Sequence, residues 1–93
     1  MDIGKAIEAA KAGARIARAG WNGKDMWVAY SAATEQLPAD KFWSSANRKF
    51  AEDNGGHAKV EASLSLKTAQ NTIQMGWSPS TSDSLATDWE IVN

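Results

Sequence analysis

Three indole planes, Trp21, Trp27 and Trp77, share this sequence with amides at Asn22, Asn71 and Asn93, hydroxyls from Ser78 to Ser82 that include Ser80 and Thr81, and two arginines, Arg15 and Arg18. These side chains bind rather than react. A purine stacks on indole, ribose hydroxyls pair with Asn and Asp, and phosphates accept from Arg or from the unpaired N–H groups at a helix start. The set suits a nucleotide-like ligand. Structural packing is the other use of each tryptophan, and both uses stay open at this stage.

Reactive sets are harder to assemble. The single histidine, His57, follows Gly55-Gly56 and reads as a solvated turn residue. The carboxylates are scattered and show no metal-ligand spacing, and no P-loop, GxGxxG or HExxH occurs. Asp83 and Asp88 flank a short helical turn, where Asp83 has an alternative use as a cap. There is no cysteine, so disulfides, thiolate metal sites and a Cys nucleophile are excluded. Neither a catalytic set, a cofactor nor a metal is expected.

The elements that would position the binding groups centre on residues 15–30, where two strand-like runs meet at Asn22-Gly23. A two-residue hairpin turn there pairs Trp21 with Lys24, Ala19 with Met26, Arg18 with Trp27, Ala17 with Val28 and Ile16 with Ala29. It sets Arg18 beside Trp27, as cation-π packing or as the floor of a site for a planar anion. The other geometry is a wider loop over Gly20 to Gly23. Trp21 then lies on a turn, away from the core and free to stack on a ligand.

The remaining elements are read by periodicity. Residues 2–12 form a helix capped by Asp2 and stopped by Gly13, with Ile3 and Ile7 facing a sheet and its alanines permitting close approach. Residues 31–38 read as a polar connection. A second helix spans 40–54, capped by Asp40, with Phe42, Trp43, Ala46 and Phe50 on one face. Residues 59–69 alternate as a half-buried strand, turn at Gln70-Asn71 and pair with 72–77. A capping box of Ser80 and Asp83 starts a short helix, and Trp89 to Val92 close the sheet.

At 93 residues this is one small domain, able to bury only about 60 to 65% of its unfolded surface alone. Five tryptophans are many for such a core, which points to a subunit interface or a ligand pocket. Ten basic against eleven acidic side chains leave a net charge of -1. That balance argues against a nucleic-acid polymer as partner. Neither a signal peptide nor an apolar run long enough for a membrane span is visible, so a soluble chain is expected.

Two blocks of the chain resemble a family of small phage proteins, the second Thoeris anti-defence family, formerly a domain of unknown function. The first block matches at Gly13, Arg15, Ile16, Arg18, Gly20, Trp21, Asn22, Gly23, Met26, Trp27 and Val28. The second matches at Lys67, Thr68, Ala69, Gly76, Trp77, Ser80, Asp83, Leu85, Ala86, Asp88, Trp89, Glu90 and Ile91. Residues 31–59 carry no family motif and read as a lineage-specific insertion with a helix. The resemblance implies an α+β fold, a small antiparallel sheet with the first helix packed on it.

It also implies a non-enzymatic sponge in the cytoplasm of the infected bacterial host. Such a protein binds cyclic ADP-ribose isomers made by TIR-domain enzymes, in some cases cyclic oligonucleotides too, as a homotetramer with ligand between subunits. With the residue reading it gives a ligand-binding set of Arg18, Trp21, Asn22, Trp27, Trp77, Ser80, Thr81, Asp83 and Asn93. Two other functions stay open: an inhibitor that docks on a host immune enzyme through exposed tryptophans, and a nucleotide hydrolase using His57, Asp83 or Asp88.

Overall fold

A computed structural model describes residues 1–92; Asn93, one of the binding candidates, lies outside the described residues. The fold is α+β, with three α-helices and seven strands in two antiparallel sheets among the described residues. The chain divides into two compact units: Met1–Ser31 together with the chain from Ser63 onward, and Ala32–Ala62.

The first unit begins with α1, Ile3–Lys11. The Asp2 side chain accepts from the Lys5 N–H at 2.9 Å, satisfying one of the unpaired donors of the first turn, and Gly13 ends the helix at φ 104°. Ala6 and Ala10 are 0% and 2% exposed, whereas Ile7 is left half-buried. The contact expected of Ile3 and Ile7 is thus made by Ile3 and two alanines, whose small side chains let the helix lie close on the strands.

The five-stranded sheet runs in the order β6-β5-β2-β1-β7, from β1 (Arg15–Arg18), β2 (Trp27–Ser31), β5 (Ser63–Lys67), β6 (Ile73–Met75) and β7 (Trp89–Val92). Ile16 pairs with Val28 and Val28 with Leu66, so three apolar side chains stand in a row across the sheet. With Ala6, Ala10 and Trp89 they form the core. Ile16 and Val28 are 1% and 0% exposed, each worth about 2 kcal/mol relative to exposure.

That register differs by one residue from the hairpin expected at Asn22-Gly23, which paired Ile16 with Ala29. Neither Asn22 nor Gly23 has the positive φ that such a turn requires; Asp25 does, at 57°. Residues 19–26 make the wider loop instead. A one-residue slip exchanges the faces of one strand relative to the other. Val28, Tyr30, Ile16 and Arg18 therefore share the helix-covered face, while Arg15, Ala17 and Trp27 share the opposite one. The turn at Gln70-Asn71 is as read from the sequence, with Asn71 at φ 62°.

The second unit holds a two-stranded sheet of β3 (Thr34–Pro38) and β4 (His57–Val60) with α2, Ser45–Asp53. Three readings are corrected here. Residues 34–38, taken as a connection, form a strand. The strand expected over 59–69 is two strands, β4 and β5, interrupted at Glu61 and Ala62. The helix expected from Asp40 starts only after Ser44, because residues 39–41 form a separate single 3-10 turn. Its buried contact is Ala51 at 0% exposure, whereas Trp43 and Phe50 are 88% and 62% exposed.

Candidate functional site

The candidate residues separate into two places within the first unit. The first is the corner where β1 leads into the 19–26 loop and meets α3, Thr81–Leu85. Ser80 caps α3 in a reciprocal box, its Oγ accepting from the Asp83 N–H at 3.1 Å and its own N–H donating to Asp83 Oδ2 at 3.2 Å. Asp83 Oδ1 also accepts from Arg18 Nη1 at 2.9 Å and Trp21 Nε1 at 3.1 Å. Arg18 Nε donates to Asp88 Oδ1 at 2.8 Å, and Asp88 Oδ2 accepts from the Gly20 N–H at 2.8 Å.

Gly20 is needed for that approach, since a Cβ there would lie 2.7 Å from Asp88 Oδ2. The Trp21 ring stands edge-on to Trp89 and Trp77, with centroids 5.4 and 6.2 Å away, and Trp89 Nε1 donates to the Asp83 carbonyl at 2.9 Å. Trp21 is thus packed, contrary to the expectation of a turn residue without a core role. The helix start that could have received a phosphate already holds the chain's own Asp83.

The electrostatics agree. Burial pushes the Asp83 carboxyl up, but hydrogen bonds from Arg18, Trp21 and Ser80 outweigh it and hold the group at about 2. The Arg18 hydrogen bond likewise lowers Asp88, and the bonds to Asp88 and Asp83 raise the Arg18 guanidinium. Thr81 begins α3 and is exposed, as is Asn22 in the loop.

The second place is the sheet face turned away from α1. Here Ala17 and Trp27 line a concavity of about 470 Å³. The Arg15 guanidinium lies 5.5 Å from the Trp27 ring centroid, within cation-π range. Trp27 pairs directly with Lys67 of β5, which puts a second cation on the same face, and Glu90 of β7 adds a carboxylate. Lys67 Nζ donates to the Asp25 carbonyl at 2.8 Å and so ties the 19–26 loop to the sheet. Arg18, Trp21 and Gly23 also border the concavity.

The Arg–Trp pair expected from the hairpin is therefore present with a different arginine, Arg15 in place of Arg18. Lys67 and Glu90 were not among the binding candidates. Their signal was the alternation itself: with the true register, Arg15, Ala17, Trp27, Lys67, Glu90 and Val92 all fall on one face. Among the described residues no cluster of His, Cys, Asp and Glu could hold a metal ion, and no helix is long and apolar enough to cross a membrane.

A family model for the Thoeris anti-defense 2-like domain matches residues 1–92. The chain belongs to this family. It is also 36% identical over 93 residues to Thoeris anti-defense 2 of Bacillus phage SP01, a match that covers 100% of this chain and 96% of the relative. Membership in the Thoeris anti-defense 2-like family supports an anti-defence role. The matched span takes in residues 31–59, so the second unit falls within the region the family model covers.

Proposed function

We propose that this protein counters Thoeris defence as a sponge: it binds cyclic ADP-ribose-type signals made by TIR-domain enzymes in the cytoplasm of the infected cell and holds them uncleaved. The carrying observation is the Trp27 face, where the indole has the Arg15 guanidinium over its ring and Lys67 as its cross-strand partner, in a concavity that Ala17 also lines. An adenine ring stacks on indole, a pyrophosphate takes the charge-assisted bonds of Arg and Lys, and the Glu90 carboxylate accepts from ribose hydroxyls or a base amine. Arg18 and Trp21 close the rim from the corner they stabilise.

The state of two carboxylates, Asp83 and Asp88, favours retention without cleavage. A general base works best with a pKa near the operating pH. Asp83 is held at about 2 and Asp88 is lowered by Arg18, so neither is suited to activate a water. The open concavity and the number of tryptophans favour a homotetramer in which a second copy covers the ligand.

The test is capture and release. The protein is incubated with the product of a TIR-domain enzyme, the complex is separated by filtration, and the retained fraction is heated and its contents identified. A sponge retains the signal and releases it intact. Release of a linear product marks a hydrolase. A signal left wholly in the filtrate overturns nucleotide binding and favours a protein-directed inhibitor.

A further inference from the structure

We propose that Asn22 is a site of spontaneous modification, deamidating through a succinimide formed with Gly23 and thereby placing a negative charge beside the Trp27 concavity. The chain contains two Asn-Gly pairs, Asn22-Gly23 and Asn54-Gly55, and the structure treats them differently. An asparagine followed by glycine is chemically exposed because no side chain shields the next amide nitrogen.

At Asn54 the side chain is held: Nδ2 donates to the His57 carbonyl at 3.0 Å, and the Asn54 N–H donates to the Ala51 carbonyl at 3.1 Å as the C-cap of α2. Cyclisation there has to release the side-chain amide from the His57 carbonyl. Asn22 is exposed, lies outside any helix or strand, and among the described residues its amide has no hydrogen-bond partner.

The step needs only this dipeptide and water. The Gly23 backbone nitrogen attacks Asn22 Cγ; a C–N bond forms, the bond from Cγ to the side-chain nitrogen breaks, and ammonia leaves with the proton from the Gly23 amide. Water then opens the ring at either carbonyl. One product has aspartate at position 22, and the other has the main chain routed through the side-chain carbon.

Gly23 is itself closely approached: a Cβ there would displace the flexible Met26 side chain and lie 3.1 Å from Ala69 Cβ. The loop's close approach thus retains the residue that leaves Asn22 unshielded. Trp21 and Gly23, on either side, both line the concavity with Arg15, Arg18 and Lys67, so the new carboxylate opposes those cations toward an anionic ligand. This effect on binding rests on the function proposed above; the modification does not.

The intact protein is aged in mildly alkaline buffer at physiological temperature, digested with trypsin and followed by mass spectrometry. Peptides 19–24 and 50–59 report the two sites separately. Conversion of amide to acid is expected several-fold faster at Asn22 than at Asn54, and Asn22→Gln removes that signal without changing the one at Asn54. Equal rates, faster conversion at Asn54 or no conversion at either site overturns the proposal. Asn22→Asp and the aged protein are then compared with fresh protein for binding of the TIR-enzyme product, with several-fold weaker binding expected. If fresh protein itself fails to bind, the function fails and the mass-spectrometric result stands; if fresh and modified protein bind equally, the electrostatic consequence is overturned.

Discussion

Arg15 and Arg18 lie three residues apart on β1, an odd spacing that sends their side chains to opposite faces of the sheet. Arg18 is engaged by Asp83 and Asp88 and holds α3 and the 19–26 loop against the core. Arg15 is exposed, and its guanidinium lies over the Trp27 ring. The same residue type thus serves stability in one place and remains available to a ligand in the other. What distinguishes them is the set of carboxylates each face presents, not the local sequence around them.

That contrast can be broken most severely at Trp21. Trp21→Ala removes two edge-on aromatic contacts and one donor to Asp83, and is expected to cost about 3 kcal/mol of stability. Denaturant unfolding measures this; an unchanged midpoint would return Trp21 to the ligand side. Trp27→Ala probes the other region. Losing its base stack is expected to weaken signal binding by about 1 to 3 kcal/mol, roughly fivefold to over a hundredfold, read by isothermal titration.

Ser80→Ala is expected to cost about 1 kcal/mol through the lost cap, with little change in affinity. A binding loss larger than its stability loss would draw the corner into the ligand site.

The finest test is the acid limb of stability. Asp83 is held at about 2 against an ordinary 3.8, so the folded state favours its charged form. The contribution is complete above about pH 5, where the unfolded chain is ionised too, and is lost as pH falls through about 2. The stability gap between wild type and Asp83→Asn should therefore narrow across that interval. A constant gap would mean that Asp83 acts through packing alone.

Elements set by local rules were legible. The Asp2 cap and Gly13 stop of α1, the Ser80–Asp83 box, the turn at Gln70-Asn71 and the closing strand at Trp89 each depend on a few neighbouring residues. The β1–β2 register was not legible, although it decides which arginine meets Trp27. Asn22-Gly23 offered a two-residue turn, but Arg18, Gly20 and Trp21 are each drawn to Asp83 or Asp88 across more than sixty residues of sequence. Those contacts anchor the start of the loop, and its positive φ falls at Asp25. In the second unit, small Ala51 takes the buried place that the apolar pattern assigned to Phe50 and Trp43.

Under the proposed function the Trp27 face, and not the α3 corner, receives the signal. Arg15→Ala tests it most directly, because Arg15 is exposed and its loss should leave folding intact. Equilibrium dialysis of the TIR-enzyme product against wild type and Arg15→Ala, at matched melting temperatures, is expected to show at least tenfold weaker retention by the variant. Equal retention would contradict the assignment of the site to this face.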